Sequence, residues 1–410
     1  MENHQHRPLG VFEKVCAIFD KISPLDFALA VEIVGETSLP DWRIAMDKVQ
    51  LRHPNMRVFI TEDECDGYHF EPTGIEVKVP IKTLLEEKQS AWAKVIERES
   101  ADGFQDGLPL VRMIYLPGQG GCTVILIAHH AVADGLSLTF VIRDLLEEIT
   151  GTSRKAHHPP ISVDSRLGMD EHLPVLPLPK IGSSRYRQNI NLNSPTKIQY
   201  LKFKGGLTQQ ILTRCKSEKT TLHGALCAAA VVQARRQCLL WQNCQLHVLS
   251  PISVRKILDV EDDCFLCMST HAAFFDPYSS SAFWDMARDT RESLHETTLA
   301  SHLAEFISAL QGVVQKQSLS EQRIKVLKQI FSHHLMISNL GELKFETHFA
   351  SLKIESVWGP FMRSGSEHTQ TLGGITCNGN LHLTNTTAKP LPGFLEGIEQ
   401  ILEHHCAVNS

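Results

Sequence analysis

A chain of 410 residues, 42% hydrophobic and 21% charged, has the composition of a globular protein and the length of two domains or one large one. Its formal net charge is −6, and its Lys and Arg are scattered, so it carries no electrostatic footprint for nucleic acid and no nucleic-acid partner is expected. The 11 Cys are odd in number and irregular in spacing, and Cys264-Phe265-Leu266-Cys267 lacks the second C-x-x-C of a zinc site, so free thiols in a reducing compartment and no metal are expected.

Residues 1–8 are polar, without the apolar stretch of a signal peptide, and no run reaches the roughly 18 apolar residues of a spanning helix. A cytoplasmic protein with no membrane span is the expectation. Strand and helix patterns then alternate, an α/β (α+β) arrangement. Residues 25–34 read as a strand, and 40–52 as a helix closed by Pro54. Residues 56–60 and 75–79 are short strand candidates, and 90–99 a helix. Strands at 110–116 and 122–128 flank Pro117-Gly118-Gln119-Gly120-Gly121, a hairpin signal. A helix with a broad apolar face follows and ends near Gly151.

The texture changes over 156–195, where Pro is frequent, and this segment is expected to link two units, 1–155 and 196–410. In the second unit Thr220 or Thr221 can cap a nearly all-apolar helix over 222–233, a pattern of buried helices. A strand at 246–249 leads into Pro251-Ile252-Ser253-Val254-Arg255. Helices are expected over 282–300, 303–315 and 320–331, and strands at 334–337, 352–357, 374–377 and 381–384. The last two flank the turn Asn378-Gly379-Asn380, and a helix over 393–405 ends the chain.

Four His-His pairs occur in the chain. One of them opens His129-His130-Ala131-Val132-Ala133-Asp134-Gly135, at the end of an apolar strand and before a helix. This H-H-x-x-x-D-G pattern resembles that of chloramphenicol acetyltransferase, peptide-synthetase condensation domains, plant-type acyltransferases and polyketide-associated acyltransferases. Further segments resemble the same superfamily in order along the chain: Leu51-Arg52-His53-Pro54, the helix at 222–230, Pro251 to Arg255, and Ser338-Asn339-Leu340-Gly341. Val357-Trp358-Gly359-Pro360 is only a faint echo of the D-F-G-W-G element of the plant-type members. No adenylation or carrier segment is seen, which favours a stand-alone acyltransferase.

The resemblance implies two chloramphenicol-acetyltransferase-like subdomains in a V, with a central channel that donor and acceptor enter from opposite faces. It implies that His130 is the general base, taking a proton from the acceptor hydroxyl and returning it to the thiolate, with no covalent enzyme intermediate. Strand alternation sends His129 to the opposite face in a supporting role. The resemblance also implies that Asp134 turns away from the His and pairs with an Arg, for which Arg255 is the candidate. Gly135 is expected to allow a tight turn and leave room for substrate. Ser338 and Asn339 are candidate substrate-binding groups, with a plain strand-end turn as their alternative.

No cofactor is needed, since acyl-CoA or an acyl carrier protein with its phosphopantetheinyl thioester is a co-substrate. The expected acceptor is a small-molecule alcohol, giving an ester; an amine acceptor, as in condensation-type N-acyl transfer, is the alternative. A catalytically inactive acyl-carrier-binding homologue is a third reading. A monomer is expected, because paired subdomains build a channel within one chain.

Overall fold

The computed structural model describes residues 6–22, 25–63, 67–85, 91–100, 102–169, 195–278, 281–314 and 321–407. Most of the expected 156–195 linker, from residue 170 to 194, lies outside them.

Two six-stranded mixed sheets organise the chain. The first runs in the order His348–Phe349, Leu352–Met362, Asp26–Val34, Gly121–His129, Val111–Gly118, Ile81–Thr83. The second runs Met268–Phe275, Leu246–Ser253, Leu335–Glu342, Gln370–Cys377, Asn380–Thr387, Lys197–Lys202. Each packs its own core. Phe27, Leu29, Val124 and Leu126 meet Trp42, Met46, Leu138 and Val141 in the first. Leu246, Val248, Leu335 and Leu381 meet the helix Leu222–Gln237 in the second. This α/β architecture of two sheet-rich subdomains is the one anticipated.

The two sheets do not divide the chain into an N-terminal and a C-terminal half. Leu352–Met362 leaves the C-terminal half and pairs antiparallel with Asp26–Val34, Val357 opposite Val31. Segments 1–155 and 196–410 are therefore not separate sheets. In return, the loop carrying Val254, Cys264, Phe265 and Cys267 packs into the core of the first sheet. The subdomains are interlocked by this exchange.

Local expectations hold where the pattern is local. The Gly118–Gly121 hairpin pairs as read, with Gly120 at φ 72°. Asn378 (φ 49°) and Gly379 (φ 73°) form a two-residue turn of the kind that suits hairpin twist. Thr221 caps its helix by accepting from the Gly224 N–H at 3.1 Å. The strand expected at 75–79 does not form. There the Val79 N–H donates to Gln50 Oε1 (2.9 Å) and its carbonyl accepts from Arg43 (3.0 Å), so side chains of a neighbouring helix satisfy the backbone instead of a ladder. The elements not anticipated include the helices Val11–Asp20 and Leu207–Ser217 and the strands Gly67–Pro72, Ile81–Thr83, Lys197–Lys202 and Met268–Phe275.

Candidate active site

The strand Gly121–His129 lies next to Asp26–Val34, with His129 opposite Asp26. Strand-like bonding runs one residue further, as the His130 N–H donates to the Leu25 carbonyl at 3.2 Å. The two imidazoles therefore face opposite sides. His129 is buried near Phe104; its Nδ1 accepts from the Ala131 N–H at 3.0 Å, which puts a neutral ring's proton on Nε2, 3.6 Å from Asp20 Oδ1. Burial holds its pKa below the ordinary value, against the pull of Asp20.

His130 stacks on Phe27, ring centroids 4.2 Å apart, and lines a cavity between the two sheets. Its Nδ1 is sealed from solvent without a well-formed hydrogen bond. Burial, aided by His129, lowers its pKa to about 4, with Asp134 and the Ala133 backbone opposing. At neutral pH the ring is uncharged and able to accept a proton.

Asp134 does not reach toward either imidazole. It is the N-cap of the helix Gly135–Ile149, accepting from Ser137 N and Ser137 Oγ, both at 2.8 Å. Its second oxygen accepts from the Cys267 N–H at 3.2 Å. Arg255 Nη2 closes the cluster, donating to both carboxylate oxygens at 3.1 and 3.2 Å. Arg255 also donates to the Asp263 carbonyl at 2.9 Å and lies against the rings of Phe140 and Phe265. Desolvation would lower the Arg255 pKa, but Asp134 overcomes it and the net shift is upward. One ion pair, buried on both sides, thus joins the motif loop to the second half of the chain.

Gly135 does not occupy a left-handed conformation; a Cβ there would come within 2.7 Å of Leu340 Cδ2. What the position demands is space, at the edge of the cavity. Ser338 and Asn339 lie on the strand Leu335–Glu342 and part company, as alternation requires. Ser338 lines the cavity with His130 and Gly135. Asn339 Oδ1 instead accepts from the Gly341 N–H at 3.0 Å, holding the bend where Gly341 has φ 76°. The Arg52-His53 pair does not line this cavity; both side chains bind Asp144, at 2.5 and 2.8 Å.

The cavity encloses about 160 Å³ and is mainly apolar. An unanticipated wall is the helix Val11–Asp20, through Phe12, Val15, Cys16 and Phe19. The signal was present in the sequence: apolar residues at 11, 12, 15, 16, 18 and 19 recur at helical spacing. His333 also reaches the cavity. Its Nδ1 donates to the Phe331 carbonyl (2.7 Å), so Nε2 accepts from Ser364 Oγ (3.0 Å).

No family model matches the sequence. The chain is 29% identical over 132 residues to a probable non-canonical nonribosomal peptide synthetase from Salinispora arenicola; the match covers 32% of this chain and 2% of that protein's length. Among solved structures, polyketide synthase associated protein 5 from Mycobacterium tuberculosis superposes with a TM-score of 0.67 at 15% identity, covering 98% of each chain. The first condensation domain of the CDA synthetase gives a TM-score of 0.70 at 12% identity, over 98% of this chain and 96% of that one. TRI3 trichothecene 15-O-acetyltransferase from Fusarium sporotrichioides gives 0.69 at 10% identity, over 98% and 96%. At these identities the likeness is one of fold: the chain has the fold that these three proteins share, built here from two sheet-rich subdomains.

Proposed function

We propose that this chain is an acyltransferase that moves an acyl group from a thioester, of CoA or of a carrier protein, to a hydroxyl. The observation that carries the reading is a neutral, buried His130 facing a largely apolar cavity between two subdomains. With Nδ1 sealed, Nε2 is the nitrogen we assign to the substrate. It removes the hydroxyl proton as the oxygen bonds to the thioester carbonyl carbon. Collapse of the tetrahedral species breaks the C–S bond, and the imidazolium proton passes to the departing thiolate. No enzyme-bound intermediate and no cofactor are required. The protonated ring is costly in this desolvated position, which favours rapid return of the proton.

Ser338, on the cavity wall, is the side chain we assign to hydrogen bonding with substrate or with the carbonyl oxygen as it gains charge. Asp134 and Arg255 act on the position of the loop. The condensation-domain fold keeps an amine acceptor as the second reading, since the same base would serve it.

The test is thiol release from a set of acyl-CoAs and acyl-carrier proteins, with alcohols and amines as acceptors. Acceptor-dependent release by the wild type should fall about 10²–10⁴-fold in a folded His130→Ala. Equal release by both proteins refutes the assignment of the base. Amide formation in place of ester selects the second reading.

A further inference from the structure

Three polar side chains on the cavity wall, His333, Ser364 and Thr371, are tied to one another in a fixed direction. Burial lowers the His333 pKa to about 4, so the ring is uncharged at neutral pH. Its Nδ1 meets the Phe331 carbonyl at 2.7 Å and can only donate there. Nε2 of the neutral ring is then an acceptor, and the Ser364 hydroxyl 3.0 Å away gives it its proton. The Met336 sulfur, 3.9 Å from the same hydroxyl, is the weaker acceptor. With the Ser364 proton committed, the 2.9 Å contact to Thr371 Oγ1 runs the other way, with Thr371 donating. Every proton of this relay is spent inside it. A lone pair remains on Ser364 Oγ, and Ser364 is half-buried where Thr371 is buried. The relay can accept a hydrogen bond from a ligand in the cavity and has none to donate.

The ladders place this relay beside the candidate base. Met362 is the Cα partner of Phe27, the ring on which His130 stacks, and Ser364 follows Met362 by two residues. In the second sheet Thr371 pairs with Met336 and Gly373 with Ser338, so Thr371 stands two residues along its strand from the position next to Ser338. Two residues of strand span about 7 Å and return to the same face. The relay therefore sits to one side of His130 and Ser338, where the far end of a small molecule held at His130 would lie.

We propose that Ser364, oriented by His333 and Thr371, recognises the acyl acceptor, and that the acceptor is a largely apolar molecule with two hydroxyls. One hydroxyl meets His130; the other donates to Ser364 Oγ. This specifies the acceptor of the acyl-transfer reading and rests on that reading for its role in turnover. An ether or ketone oxygen in place of the second hydroxyl sets lone pair against lone pair and is left without a partner in a desolvated site.

Binding without turnover tests it. Isothermal titration of the full chain compares α,ω-diols from butanediol to decanediol with the 1-alkanols and the diol monomethyl ethers of equal length. At the best-fitting length the diol should bind about three- to tenfold tighter than the alkanol, beyond the statistical gain of its two equivalent ends, and the ether no tighter than the alkanol. Ser364→Ala should abolish the difference, so that diol and alkanol bind alike. In a folded His333→Phe the Ser364 proton is released, and the ether should gain on the diol. Ethers bound as tightly as diols by the wild type, or a diol preference untouched in a folded Ser364→Ala, overturns the proposal. Pantetheine binding weakened in Ser364→Ala, with no diol preference in the wild type, would move the subsite to the thioester donor and overturn its assignment to the acceptor. A diol preference without thiol release from any donor would sink the acyl-transfer reading and leave the subsite standing; acceptor-dependent thiol release with no diol preference would do the reverse.

Discussion

Replacing Asp134 by Ala should destabilise the fold rather than act on the chemical step alone. The carboxylate accepts from Ser137 N, Ser137 Oγ, Cys267 N and Arg255 Nη2. Its removal leaves the Arg255 guanidinium, only 5% exposed, without its counter-charge. Breaking one side of a buried ion pair costs about 3–5 kcal/mol, and loss of an N-cap about 1 kcal/mol more. A total near 5 kcal/mol corresponds to a fall of about 15 °C in melting temperature for a unit of roughly 200 residues. The double variant Asp134→Ala/Arg255→Met removes the orphaned charge, and it should melt above Asp134→Ala and well above the sum of the two single losses. Melting followed by intrinsic fluorescence, on Asp134→Ala, Arg255→Met and the pair, reads both quantities. An Asp134→Ala that melts like the wild type yet releases no thiol would refute the reasoning and put Asp134 in the chemistry. Additive losses in the double variant would show that the two residues do not act as a pair.

The pH dependence of turnover should follow His130: kcat/KM is flat above about pH 5 and falls tenfold per unit below about pH 4, because only the neutral ring accepts a proton. A midpoint near 6.5 in the free enzyme would mean that the ring is not desolvated. Stability has its own acid limb. His130, His333 and His382 have pKa values lowered to about 4 and His334 to about 3, chiefly by burial, against about 6.5 in the unfolded chain. With folded pKa values depressed, their contribution is fully present above pH 6.5 and is lost as pH falls toward 4. At pH 5.5 each costs about 1 kcal/mol, so the melting temperature should drop steadily between pH 6.5 and 4.5; a constant melting temperature over that range contradicts the burial of these rings. Gly135→Ala should fold, since its Cβ meets only the flexible end of Leu340, but should raise KM by narrowing the cavity. Gly135→Ala/Leu340→Ala should restore KM; a loss confined to kcat and unrelieved by the second change would point to the backbone instead.

The parts of this protein that were legible in its sequence are those built from neighbours in the chain. The hairpin at Gly118–Gly121, the Thr221 cap and the strand-then-helix setting of His129 to Gly135 rest on turn residues, caps and periodicity within a few positions. The opposite facing of His129 and His130 follows from alternation alone, as does the separation of Ser338 in the cavity from Asn339 on the Gly341 turn. Resemblance to a family, not spacing, suggested that Asp134 would meet Arg255, 121 positions away.

The tertiary structure decided what the cavity is made of. The helix Val11–Asp20 has a readable apolar stripe, but nothing in that stripe says which surface it covers. Leu352–Met362 has the pattern of a strand in either sheet; its place beside Asp26–Val34 was set by which unpaired edge and apolar face it could bury. The segment at 75–79 has strand composition, yet Gln50 and Arg43 were within reach of its backbone and took its hydrogen bonds. Lys328 and Arg363 are ordinary surface types in sequence, and only the folded chain makes both part of one cavity's lining. Periodicity and capping are local energies that a short stretch of chain expresses by itself, whereas burial and charge pairing depend on segments hundreds of residues apart.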